Sequence, residues 1–331
     1  MTIADRIKYI DYFKAIAMIL VIMGHVNFAN QGVKAWIYSF HMPAFFFATG
    51  MVLKVGGAFS FKDTLLNKLH RLMLPYLLWA LFYAKFSVPN FLKIVYGSYW
   101  SVSSSGSSSN LWFLPVMFMS LIFFYLYVKT GLANNILSNL LAIILSFFIG
   151  SFLPHLKIGY PWGTDVAFMA FAFMMLGFVV NKYFDKLYQC FKSTQGKGTL
   201  CSFIVFFVML IGTLTYQLND SVGAVMMKNA HYGDSVLFAI TAIFGILMLL
   251  FLSVLLEFLN LRGSKFLSFL GQNTLLVFVV HKPIIGCFNV LFSYINIPVY
   301  FMLLLTTLFT MLLSCLMCIF INKYAPILAG R

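Results

Sequence analysis

The sequence predicts an all-α, polytopic integral membrane bundle of about ten transmembrane helices, with both termini in the cytoplasm. Three observations carry that expectation. Of the 331 residues, 62% are hydrophobic and 9% charged, whereas soluble domains run to about 25% charged and 45–50% apolar. Apolar runs of spanning length recur from end to end, so the bilayer acts as the solvent for this chain. Lys and Arg are also sorted to one side of those runs. A domain count from length does not apply to such a chain, and residues 1–331 read as a single helical domain.

The spans fall at 8–28, 36–54, 72–89, 111–128, 136–153, 165–181, 199–217, 236–257, 274–292 and 299–321. At the first, Arg6, Lys8 and Lys14 precede the apolar run Ala15–Gly24; no small-residue cleavage site follows and polar His25 interrupts it, so it reads as a spanning helix and not a cleavable signal. Pro43 breaks the second, and the sixth is short. With the N-terminus inside, 16 cations fall on the inner side and 5 (Lys34, Lys85, Lys93, Lys157 and Lys228) on the outer side; Lys282, within the ninth span, completes the 22. Positive charge collects on cytoplasmic loops, so both termini are expected inside and the number of spans is even. The same rule accounts for the net charge of +14 as contact with anionic membrane lipids. No basic stripe with interleaved aromatics points to nucleic acid.

Between the third and fourth spans, Ser101–Asn110 is a low-complexity stretch expected to form a flexible tether. Trp36, Trp100, Trp162 and Trp112 read as interfacial anchors. Of the five cysteines, Cys315 and Cys318 form a C-x-x-C inside an apolar run, where packing explains them better than redox chemistry. Asp165 and Asp234 stand at outer helix starts, as caps do. There is no H-E-x-x-H and no His–carboxylate cluster at ligand spacing, so no metal is expected. No internal repeat is visible, which disfavours an inverted-repeat transporter.

Ionisable groups inside a membrane are costly, and each is a functional candidate. The densest set lies at the start: Asp11, Lys14 and His25 on the first span and His41 on the second. Lys14 and His25 are eleven residues apart, which puts them within ~20° of one helix face and about 16 Å apart along the axis. Asp11 lies three residues before Lys14, at ion-pairing distance. His25 is a candidate general base, since an imidazole titrates near the pH at which such a base is useful; the alternative is a histidine hydrogen-bonded within a bundle. His41 either orients His25, contacts an acceptor, or packs at the interface beside Pro43. His281, with Lys282 beside it, reads as a wall of the reacting path or as structural. Lys14 and Arg71 sit where a phosphate-bearing ligand would meet the cytoplasmic side. Lys62, Lys68 and His70 nearby read as headgroup contacts.

The stretch Asp11-Tyr-Phe-Lys14 through Gly24-His25 resembles the opening of acyltransferase family 3, closest to its fucose 4-O-acetylase-like branch. Phe40-His41-Met42-Pro43 through Gly50 is similar to the family's second-helix signature. Arg71-Leu-Met-Leu-Pro75-Tyr76-Leu-Leu-Trp79, Leu111-Trp112-Phe113-Leu114, Leu270-Gly271-Gln-Asn273-Thr274 and His281-Lys282-Pro283 follow in the family's order. The resemblance implies a multi-pass bacterial inner-membrane enzyme that O-acetylates a polysaccharide or a lipid-linked sugar from cytoplasmic acetyl-CoA. With it, His25, Asp11, His41 and His281 stand as the candidate catalytic residues, and Lys14 and Arg71 as the candidate acetyl-CoA contacts. The broad family carries Arg at the position of Lys14. Lys is a point charge without the bidentate fork of Arg, so a paired phosphate contact does not carry over. Two rival classes stand beside the enzyme: a transporter or flippase of lipid-linked saccharide, and a non-enzymatic membrane assembly partner.

Overall fold

The computed structural model describes residues 7–54, 61–217, 225–294 and 298–331. Arg6, counted above among the inner cations, lies outside them. Described residues form helices throughout, apart from turns and an isolated β-bridge between Met226 and His231. In chain order the α-helices are α1 (Lys8–His25), α2 (Gln31–Tyr38), α3 (His41–Val52), α4 (Phe61–Lys68), α5 (Leu74–Tyr83), α6 (Phe91–Tyr96), α7 (Tyr99–Ser104) and α8 (Phe113–Lys129). There follow α9 (Ile136–Phe152), α10 (Thr164–Ser193), α11 (Gln195–Gln217), α12 (Ser235–Leu259), α13 (Ser264–Gln272), α14 (Thr274–Ser293) and α15 (Val299–Tyr324).

Among the described residues, six helical stretches are long and apolar enough to cross a membrane: Ser109–Lys129, Pro161–Ser193, Gln195–Thr215, Ser235–Leu259, Thr274–Phe292 and Val299–Tyr324. The 17-residue α9 is a shorter apolar helix. The 18-residue α1 carries Lys8, Asp11 and Lys14 within its length. Rows of Leu, Ile and Phe on α9, α11 and α15 stand exposed, as lipid-facing surfaces do. The chain is therefore an all-helical, multi-pass membrane protein.

Three details differ from the sequence expectation. The second span is two helices, and the break falls at Ser39–Phe40, ahead of Pro43. Pro43 sits in the first turn of α3, where its missing N–H has no intrahelical partner to lose. The Ser-rich stretch is folded, not a loose tether: its serines close their own turns. Ser98 caps α7 by accepting from the Ser101 N–H at 3.1 Å, and the Ser101 and Ser105 hydroxyls donate to the Lys93 and Val102 carbonyls at 2.8 and 2.7 Å. Short polar side chains that satisfy backbone groups locally can be buried, which composition alone does not reveal. Trp112 is 5% exposed and so is not an interfacial anchor.

The chain divides into two compact units. The first comprises Met1–Ala48, Lys182–Val225 and Tyr232–Cys318. Its axis is α1, which packs against α2, α12, α13 and α14. Small residues permit the close approaches such packing needs: a Cβ on Gly271 would lie 2.0 Å from the Asp11 carbonyl oxygen, and one on Gly245 would lie 2.2 Å from the Phe40 ring. Asp234 caps α12 as expected, its Oδ1 accepting from the Val236 and Leu237 N–H groups at 3.0 and 2.9 Å.

The second unit comprises Thr49–Asn181, Met226–His231 and Ile319–Arg331. Here a Cβ on Gly50 would meet the Met174 carbonyl oxygen at 1.9 Å, and one on Gly150 would meet the Met169 nitrogen at 2.8 Å. The C-terminal residues pack against α5: Trp79 Nε1 donates to the Leu328 carbonyl at 3.0 Å. Tyr76 donates to the Ile94 carbonyl at 2.6 Å, which ties α5 to α6.

Candidate active site

Three of the sequence-predicted histidines belong to the first unit, and two of them meet. His25 is the last residue of α1, half-buried. Its ring centroid lies 5.2 Å from that of His281, with the planes at 61°. His281 is 0% exposed, eight residues into α14. On the other flank, Tyr38 at the end of α2 lies 6.0 Å from His25 and 5.2 Å from His41. Tyr38 is anchored by its hydroxyl, which donates to the Gly24 carbonyl at 2.9 Å. The break between α2 and α3 makes this arrangement possible. It leaves His41 as the first residue of α3, where its ring can reach back to α2.

Backbone carbonyls fix the tautomers of two rings. His41 Nδ1 lies 2.8 Å from the Ile37 oxygen, and His281 Nδ1 lies 3.2 Å from the Val277 oxygen. A carbonyl only accepts, so in each case Nδ1 carries the proton and Nε2 keeps the lone pair. His281 Nε2 is buried with no hydrogen-bond partner among the described residues. A buried acceptor lacking a donor is costly in a structural histidine, and it is useful in one that receives a proton or a hydroxyl.

Further along α1, Lys14 Nζ lies 3.0 Å from Asp11 Oδ1, as the three-residue spacing predicts. Asp11 is 4% exposed. Gln272 Nε2 donates to Asp11 Oδ2 at 3.4 Å, and Gly271 brings the α13 backbone against Asp11 itself. The Leu270–Thr274 motif therefore holds the carboxylate that holds Lys14.

Arg71 belongs to the second unit and is exposed, on a π-helical turn at Leu69–Met73. Such turns inside helices cluster at functional sites. Lys68 stands one turn before it; burial, then the adjacent Arg71 charge, hold its ammonium below the usual lysine range. The Arg71 carbonyl is crowded by Gly330, whose φ of +68° and lack of a Cβ permit the approach.

Among the described residues no three His, Cys, Asp or Glu side chains come together to hold a metal ion. Sequence reasoning passed over Tyr38 and Gln272. Tyr38 carries a usable signal, since it lies three residues before His41; Gln272 lies between Gly271 and Asn273 of the Leu270–Thr274 motif. What the first unit assembles is a pair of imidazoles at one end of α1 and a fixed lysine at the other. A proton acceptor and an anion contact on one helix suit transfer of a group from a phosphate-bearing donor. No significant match is found among curated proteins or among solved structures. A family model described as an acyltransferase domain (Acyl_transf_3) matches residues 7–323, nearly the whole chain, and the chain therefore belongs to this acyltransferase family.

Proposed function

We propose that this acyltransferase moves an acetyl group from cytoplasmic acetyl-CoA to a hydroxyl of a cell-surface polysaccharide or its lipid-linked sugar precursor, in the cytoplasmic membrane of a bacterium. The observation that carries the reading is the His25–His281 pair, with rings 5.2 Å apart at the end of a helix that also bears Lys14. Family membership supports an enzyme over the transporter and assembly readings. The stretch from Asp11 to His25, with Lys at position 14, favours the fucose 4-O-acetylase-like branch.

In this reading His25 is the general base. It takes the proton from the acceptor hydroxyl as that oxygen attacks the thioester carbonyl. The new C–O bond forms, the C–S bond breaks, and the proton passes from the imidazolium to the departing CoA thiolate. The carbonyl end of α1 favours the positive charge that His25 holds in between. His281 Nε2 supplies an acceptor beside it, and His41 holds the Tyr38 side of the site. Lys14, steadied by Asp11, contacts the phosphates of acetyl-CoA. Lys14 and His25 lie about 16 Å apart along the helix, at ~1.5 Å per residue, a span the pantetheine arm can cover.

The test is acetate released by mild alkali from surface polysaccharide, in cells with the intact gene, without it, and with His25→Ala. Acetate that depends on both the gene and His25 supports the reading. Acetate unchanged throughout, with the protein present in the membrane, contradicts it.

A further inference from the structure

The second unit contains a cavity of about 490 Å³, inside the ~300–1,000 Å³ range of small-molecule sites. Four segments wall it: the start of α7, the loop 155–163, the first turn of α10 and the turn 226–231. These walls are tied together. The Ser98 hydroxyl donates to the Ile158 carbonyl, and Tyr96 donates to the Gly159 carbonyl at 2.9 Å. Trp162 Nε1 donates to the Val95 carbonyl at 2.8 Å. Trp162 and Ala230, beside lining residues, hold φ values of 54° and 56°, a conformation that persists only where the surroundings over-determine it.

The lining has a definite chemistry. Two cations, Lys157 and Lys228, face it with a single carboxylate, that of Asp165. Lys228 Nζ is steadied 4.7 Å from the Tyr99 ring centroid. The Asp165 carboxylate offers acceptors for hydroxyl donors. Trp100 is half exposed at the rim and gives a flat apolar surface next to Tyr99. An excess of ammonium groups asks for an anion, the acceptors ask for hydroxyls, and the rings accept the C–H face of a pyranose.

We infer that this cavity binds a sugar unit carrying a carboxylate or a phosphate. It deepens the proposed function by giving the acceptor a chemical class, and it rests on that reading only for what the bound sugar is used for.

The full chain, purified into phosphatidylcholine nanodiscs, is titrated with glucose 1-phosphate, glucuronate, glucose and inorganic phosphate, followed by tryptophan fluorescence and by calorimetry. The expected result is saturable binding of glucose 1-phosphate and glucuronate at least tenfold tighter than glucose or inorganic phosphate. The Lys157→Gln/Lys228→Gln protein loses at least tenfold in affinity, and Trp100→Phe loses the fluorescence change while calorimetry still detects binding. Lys34→Gln, in the first unit, leaves affinity unchanged. The inference is overturned if no probe saturates, if glucose binds as tightly as its phosphate, or if inorganic phosphate binds as tightly as the sugar phosphate. It is also overturned if the double variant binds like the intact protein. Abolition of binding in phosphatidylglycerol nanodiscs assigns the cavity to a lipid headgroup and overturns it too. Acetyl transfer is not read here, so a failed titration leaves the His25 reading standing, and failure of that reading leaves the titration unaffected.

Discussion

At the scale of single residues, the account depends on what each charged or imidazole group is paired with. Lys14 is held at 3.0 Å by Asp11, so its ammonium is fixed in place but partly neutralised. In the proposed reaction its contribution to phosphate binding is that of one positioned charge, without a guanidinium's second donor. Lys14→Ala is therefore expected to raise KM for acetyl-CoA several-fold with a smaller change in kcat, and Lys14→Arg to keep most activity. Initial rates at varied acetyl-CoA check this; a pure kcat loss with KM unchanged would place Lys14 elsewhere in the mechanism. The Asp11–Lys14 pair was legible in the sequence because both residues lie on one helix at a known spacing. The His25–His281 pair was not, because the two rings meet across 256 residues of chain and no single sequence encodes that approach. His281 Nε2, buried without a partner among the described residues, likewise emerges only from packing.

Elements are joined at glycines, and their consequences are local and specific. Gly271 lets α13 lie against α1, and the same approach carries Gln272 to Asp11. Gly271→Ala puts a methyl 2.0 Å from the Asp11 carbonyl oxygen, so the helices must separate. Overpacking of this kind costs about 1–3 kcal/mol, and the shift also pulls Gln272 from the carboxylate. The expected outcome is a lower melting temperature in detergent together with reduced transfer; a variant of intact stability and activity would show that α13 does not position Asp11. The helical class and most long helices follow from apolar run length. The break between α2 and α3 does not follow from Pro43, because proline is tolerated in a first turn and the chain bends ahead of it. The serine-rich stretch misleads for a related reason: composition reports solvation, whereas Ser98, Ser101 and Ser105 spend their hydroxyls on nearby backbone.

For the whole molecule, sidedness is the property on which the proposed reaction turns, since donor and acceptor are placed on opposite faces. Cys190 is exposed on α10 between Lys186 and Lys192, both counted as inner cations. A protein with Cys190 as its sole cysteine is expected to resist an impermeant maleimide in intact cells and to react after permeabilisation; labelling of intact cells would reverse the orientation. The most direct measurement of the central claim is transfer of radiolabelled acetyl from acetyl-CoA to glycan by the purified protein in proteoliposomes. The intact protein, His25→Gln and His281→Gln are compared at equal amounts of folded protein. The account predicts label in glycan with the intact protein, a loss of about 10²–10⁴-fold for His25→Gln, as removal of a general base gives, and a smaller loss for His281→Gln. Full transfer by His25→Gln would contradict it.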